Sequence, residues 1–297
     1  MEKIIKWKIL RVLTTNACNY ECIYCHNEGQ DHDSIPTQIS LQQFIRFFSI
    51  TLKAGIKEVR FSGGEPLTNR ETIDMIEWVN ANAGSDIEIG LATNGSLITD
   101  AIAKRLGSTR VMVTLHFPGV GKDDYFNVTK RNWQSFETCI NLFDKHAVDY
   151  SFNYTLYPNT ITAVDKVIEF SIQKGKRVKL LPYLDKRFNN LSEPFMKRII
   201  DKLNSINGTV QYFEKERFHL WTYNNGGAVK IIDSPCYTKD VSLCKEYGEI
   251  RLLPDLSLMN CIFGKSVSTK NLSDEEIVAL FHILIKNMST CKNVISI

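Results

Sequence analysis

The 297-residue chain is 43% hydrophobic with a formal net charge of +3, enough apolar matter for one large α/β core and too little charge for a nucleic-acid partner, which shows as a concentrated basic face. No apolar run reaches the ~18 residues that cross a bilayer, and the charged opening Met1-Glu2-Lys3-Ile4-Ile5-Lys6-Trp7-Lys8 is unlike a signal peptide, so a cytoplasmic protein without a membrane partner is expected. Eight cysteines in such a chain point to metal or catalysis before disulfides.

An apolar, β-branched run predicts a first strand over residues 9–15. The loop after it places Cys18, Cys22 and Cys25 with three and then two residues between them. Three thiolates so close can grip one inorganic cluster, and iron–sulfur clusters are ordinarily held by four. Without a fourth cysteine nearby, one iron is left open to a substrate or cofactor. The rival readings are a zinc knuckle, to which only His26 could add a ligand, and a disulfide, which suits an exported chain.

Ser40, with Gln43 three residues on, forms a capping box for a helix whose Leu41, Phe44, Ile45, Phe48 and Leu52 make one apolar stripe, ended by Gly55. Further strands are predicted over residues 58–62, 87–93, 110–116, 150–156 and 178–183, and helices over 69–83, 100–106, 133–147, 163–174 and 192–204. Cys139, within a helix, reads as a small buried apolar residue. The basic run from Lys174 to Lys179 reads as a solvated helix end. This alternation predicts a parallel sheet with helices outside, in which function gathers at the C-terminal ends of the strands. There stand the cysteine loop, then Phe61-Ser62-Gly63-Gly64-Glu65-Pro66, then Thr93-Asn94-Gly95, then Thr114 and His116.

Past residue 206 the alternation fails, which divides the chain into a main domain, 1–206, and a small C-terminal domain, 207–297. The latter holds Cys236, Cys244 and Cys261, a β-hairpin turning at Pro254-Asp255, and a helix over 273–287. Its cysteines suit a second iron–sulfur cluster or zinc, with Cys291 as a fourth ligand or a free thiol.

The three cysteines and the Gly-Gly-Glu-Pro segment together resemble the radical S-adenosylmethionine (SAM) superfamily. Within it the chain looks most similar to the GTP cyclase of molybdenum-cofactor biosynthesis, from Arg11 to about Tyr183 and again from Cys236 to Phe263. The resemblance implies an α/β fold, a partial (β/α)6 TIM-like barrel. It implies a 4Fe–4S cluster on Cys18, Cys22 and Cys25 whose open iron chelates SAM, and an oxygen-sensitive enzyme that cleaves SAM reductively to a 5′-deoxyadenosyl radical. Tyr24, Gly63, Gly64, Glu65, Thr93, Asn94 and Thr114 match SAM-contact positions, while Arg11, Arg60 and Arg251 match arginines that hold the cyclase's substrate. Cys236, Cys244 and Cys261 would hold a second 4Fe–4S cluster, and a low-potential flavodoxin or ferredoxin would supply electrons. The chain departs from the cyclase at Glu58, Ala92, Ser151 and Glu249, where the cyclase has lysine, threonine, lysine and arginine. The expected activity is hydrogen abstraction from a small polar or anionic, nucleotide- or sugar-like metabolite. The alternatives are the cyclase reaction itself, modification of a ribosomally made peptide, and a non-catalytic zinc or iron–sulfur regulator.

Overall fold

The computed structural model describes residues 9–30, 34–53, 55–183, 193–206, 208–213, 218–232 and 248–287. Six strand–helix units open the chain: β1 (Ile9–Leu13), α1 (Leu41–Lys53), β2 (Glu58–Ser62), α2 (Thr72–Asn82), β3 (Glu88–Thr93), α3 (Asp100–Gly107), β4 (Met112–His116), α4 (Lys122–Thr129), α5 (Trp133–Lys145), β5 (Asp149–Leu156), α6 (Val164–Gln173), β6 (Arg177–Pro182) and α7 (Glu193–Ser205). There follow β7 (Thr209–Phe213), β8 (Phe218–Thr222), β9 (Ala228–Ile232), β10 (Glu249–Leu252), β11 (Ser257–Met259), β12 (Val267–Ser268) and α8 (Asp274–Asn287). The expected capping box forms, Ser40 and Gln43 exchanging hydrogen bonds of 2.9 and 3.2 Å at the start of α1, and the structure adds a second between Ser273 and Glu276 at α8.

β1 to β6 pair in order and in parallel, as the alternation predicts. The sheet is larger than that pattern shows. Its order is β12-β11-β10-β1-β2-β3-β4-β5-β6-β9-β8-β7, an α/β curled half-barrel. β9 adds parallel to β6 at one side and β10 adds parallel to β1 at the other, so segments past residue 206 extend both flanks of the sheet. The predicted hairpin is β10–β11, antiparallel, with Arg251 opposite Met259. Helix α4 is not announced by the sequence, because Tyr125, Val128 and Thr129 give its single buried stripe only two turns of apolar pattern.

Alternation along each strand sorts the side chains. Leu10, Val12, Val59, Phe61, Ile89, Leu91, Val113 and Leu115 are buried under the helices, whereas Arg11, Arg60, Ala92 and Thr114 stand on the concave side. The basic run is not wholly a solvated helix end. α6 stops at Gln173, and Lys179 lies within β6 beside Asn153 of β5, on the concave side. Cys139 is fully buried, as expected. Among the described residues no helix is long and apolar enough to cross a membrane.

The apolar layer beneath α5 is aromatic. Phe117 stacks on Phe136 with ring centroids 5.0 Å apart, and Trp133 stacks on Phe136 at 4.9 Å. Phe136→Ala should therefore cost about 3–5 kcal/mol, measured as a lowered urea midpoint with an unchanged slope; a loss under about 1 kcal/mol would show that this layer does not carry the core.

Candidate active site

The cysteine loop leaves β1 and is stapled to its surroundings by main-chain bonds. Ile23 N–H donates to Val128 O of α4 (3.2 Å), Cys25 N–H to Cys22 O (3.0 Å), and the Arg131 guanidinium to Asn19 O (2.7 Å). The Tyr20 and Asn27 N–H groups donate to the sulfurs of Cys18 and Cys25 at 3.4 and 3.3 Å. All three thiols open onto one cavity of ≈ 360 Å³, shared with Gly63, Gly64 and Glu65.

The Gly63-Gly64-Glu65 segment docks directly on this loop. Gly64 N–H donates to Thr15 O at 2.9 Å and Glu65 N–H to Ala17 O at 2.8 Å. The approach excludes side chains: a Cβ on Gly64 would lie 2.2 Å from Ala17 O, and one on Gly63, at φ +144°, 2.4 Å from Thr15 O. Behind the segment, buried Asn69 donates to Thr14 O (3.1 Å) and Ile39 O (2.8 Å), and the Thr72 hydroxyl donates to Pro66 O (2.6 Å). The Glu65 carboxylate faces the next strand, accepting from the Thr93 hydroxyl (2.6 Å), Asn94 N–H (2.8 Å) and Leu67 N–H (3.1 Å). Glu65 thus braces three loops, and the Thr93 hydroxyl is committed to it. Thr114 also lines the cavity, with its hydroxyl in no hydrogen bond among the described residues.

Tyr24 is buried, its hydroxyl 3.3 Å from His116 Nε2, and that nitrogen is also 3.7 Å from Cys22 Sγ. Burial lowers the His116 pKa to about 4, so the imidazole is neutral at physiological pH. The sequence marked His116 only as the close of a strand; its contact with Cys22, 94 residues away, exists only in the fold.

The donor set fits a metal cluster. Burial pushes the Cys18 thiol up to about 11 and Cys22 up to about 12, with Glu65 and Cys25 adding to the rise at Cys18 and the two neighbouring thiols at Cys22. A metal reverses that balance, because coordination deprotonates a thiol outright. Among the described residues no three His, Cys, Asp or Glu side chains converge tightly enough for a single ion. An iron–sulfur cluster needs no such convergence, since each thiolate takes its own iron.

The three arginines expected to hold substrate lie elsewhere. Arg11, Arg60 and Arg251 do not line the cavity; they form an ion-paired lattice on the concave face. Arg11 grips Glu249 through two bonds of 3.0 and 2.9 Å and reaches Glu28 at 3.4 Å. Arg251 meets Glu249 at 2.5 Å and Glu28 at 3.6 Å, and Arg60 pairs with Glu58 and Glu249. Sequence reasoning missed Glu28, and no local signal marks it. Burial works against its charge, but Arg11, Arg251 and His26 hold its carboxyl below the usual range. Asn27 and Glu28 take φ of +44° and +53°, the left-handed region that non-glycine residues seldom adopt.

Cys261 stands just past β11 and is in no disulfide. Its neighbour Ile262 lines the cavity, and the Ile262 carbonyl lies 2.4 Å from where a Cβ of Gly29 would be. The C-terminal segment therefore abuts the cysteine loop. Cys236, Cys244 and Cys291 lie outside the described residues.

Two outcomes follow from the loop docking. Gly64→Ala should part the two loops and lower SAM affinity at least about tenfold in equilibrium dialysis, since its Cβ meets backbone; unchanged affinity would show that the docking is dispensable. Glu65 supplies a pH signature: burial pushes its carboxyl up to about 6. Its contribution to stability is full below its unfolded value of 4.5 and is lost as pH rises through about 6, roughly 2 kcal/mol in the metal-free protein. Urea melts across that window should show the loss, and Glu65→Gln should remove it.

Comparison with known proteins bears on this geometry. The radical SAM superfamily model matches residues 12–171. A protein of Methanocella arvoryzae named "Probable GTP 3′,8-cyclase" is 25% identical, the match covering 94% of this chain and 89% of its own. One of the same name from Methanocaldococcus jannaschii is 31% identical over 59% of this chain and 58% of its own. Among solved structures, Streptococcus suis SuiB bound to the precursor peptide SuiA superimposes with a TM-score of 0.70 at 11% identity, over 93% of this chain and 65% of that one. anSMEcpe with bound AdoMet gives 0.62 at 20% identity, over 86% and 74%. At such identities these two show the fold alone. With the matched family model spanning more than half the residues, this chain belongs to the radical SAM superfamily and is an enzyme.

Proposed function

We propose that this enzyme abstracts hydrogen from a small polar, nucleotide- or sugar-like metabolite, using a 4Fe–4S cluster on Cys18, Cys22 and Cys25 and SAM held beside it. The observation that carries the reading is the docking of Gly63-Gly64-Glu65 onto the three-cysteine loop around one cavity. The cluster and SAM, when bound, supply a one-electron reductive cleavage that yields an adenosyl radical. The chain's own residues do the rest. Tyr20 and Asn27 N–H groups favour thiolates at Cys18 and Cys25. Gly63 and Gly64 let the cavity wall pack directly on the cysteine loop, and Glu65 and Asn94 keep that wall in register with β3. Tyr24, His116 and Ile262 enclose the site against water.

Residues 1–206 form the catalytic domain in this reading. The segment 207–297 carries a second 4Fe–4S cluster on Cys236, Cys244 and Cys261, supported by the contact of Ile262 with the cysteine loop. Cytoplasmic flavodoxin or ferredoxin is the electron source. The curated relatives' name, GTP 3′,8-cyclase, supports a nucleotide-like substrate.

Anaerobic reconstitution tests both clusters. Cys22→Ala should abolish 5′-deoxyadenosine release from SAM under dithionite, and persistent release would sink the ligand assignment. Cys261→Ser should remove about half of the iron and leave SAM cleavage detectable, because it serves a separate cluster; unchanged iron would mean that no second cluster sits there.

A further inference from the structure

We propose that Glu28 and Glu249 occupy the arginine forks from within, so that the site takes a low-charge substrate rich in hydroxyl or amine groups and rejects polyphosphates. The inference rests on the proposed radical SAM reading and specifies the substrate class of that same site.

Three observations carry it. First, the concave lattice is balanced: Arg11, Arg60 and Arg251 face Glu28, Glu58 and Glu249, with Glu249 touching all three arginines at 2.9, 3.8 and 2.5 Å. A planar guanidinium binds phosphate through the same N–H groups that here hold carboxylates, although the buried Arg251 Nε–H, 3.6 Å from Glu28, makes no hydrogen bond. A triphosphate would have to displace these carboxylates and leave them buried without their partners, which is costly. Burial opposes the charge on Glu249, yet Arg11 and Arg251 outweigh it and hold its carboxyl far below the usual range, so the plug is ionised at working pH.

Second, no lysine or arginine among the described residues lines the cavity, while the Glu28 carboxylate does. The other cations of the concave face do not line it either. Lys179 is pushed down to about 7 by burial and by Arg60 and Arg11, and Lys230 lies over the Phe218 ring at 3.6 Å. Third, two cavity-lining acceptors are buried without a donor, Asn27 Oδ1 and Asn153 Oδ1. Orphaned acceptors call for a ligand that brings O–H or N–H groups. The donors of SAM and of a hydroxyl- or amine-bearing substrate would supply that demand. The triphosphate group of a nucleotide cannot meet it, since it brings acceptors only, and any donors would come from the nucleoside.

The test uses the reconstituted protein with SAM, titrated calorimetrically with GTP, guanosine and inorganic tripolyphosphate. GTP should bind within about threefold of guanosine, and Glu28→Gln/Glu249→Gln should bind tripolyphosphate at least about tenfold more tightly than the parent. GTP binding at least about tenfold tighter than guanosine, with the difference erased by Arg251→Met, overturns the proposal, as does a folded, iron-replete double variant that gains nothing. If the double variant does not fold, the parent and Arg251→Met comparison decides alone. Release of 5′-deoxyadenosine from SAM under dithionite is read separately: its absence sinks the radical SAM reading and leaves the charge comparison standing.

Discussion

Two main-chain hydrogen bonds set the site: Gly64 N–H to Thr15 O and Glu65 N–H to Ala17 O. They join the end of β2 to the loop that carries the cysteines, at a separation only glycine permits. Everything functional is registered to that seam. Glu65 extends it to β3 through Thr93 and Asn94, and Asn69 and Thr72 lock it from behind to Thr14 and Pro66. A site held by backbone and buried side chains on three successive strand ends has little freedom to lose when its ligands arrive, and that is what positional catalysis requires.

Below the cavity the barrel wall solves a different problem. Parallel strands bury the concave face, yet Arg11, Arg60 and Arg251 project from it, and an unpaired buried cation is costly. Three carboxylates answer them, two from the strands themselves and one, Glu28, reaching in from the cysteine loop at a strained backbone angle. The pairing links the loop to β1 and β10 by charge, while Gly29 against Ile262 links it by close packing. The cysteine loop and the segment bearing Cys261 are thereby joined, although more than 220 residues separate Glu28 from Arg251 along the 297-residue chain. The same pairing commits these arginines to carboxylates of the chain itself.

The sheet shows why a simple alternation of strands and helices understated the architecture. Strands β7 to β9 and β10 to β12 add at opposite flanks of the six-strand core. Their segments are short, and β7 is exposed along most of its length, so no apolar run distinguishes it from a loop. What recruits them is the pairing capacity of the β1 and β6 edges, a property of the assembled core.

By itself the sequence determined the local and the periodic. Apolar spacing placed β1 to β6 to within two residues, the Ser40/Gln43 box placed one helix start, and the paired motifs put Cys18, Cys22 and Cys25 with Gly63 to Glu65 at one end of one sheet. These rest on interactions within a few residues, which a linear reading can see. Only the tertiary structure decided which charges meet. It joined Glu28 to Arg11 and Arg251, brought His116 to Cys22, and left Asn27 and Asn153 as acceptors without donors. Such contacts depend on register and strand order across the sheet, and a one-residue slip would turn Arg11, His116, Asn153 and Arg251 to the other face.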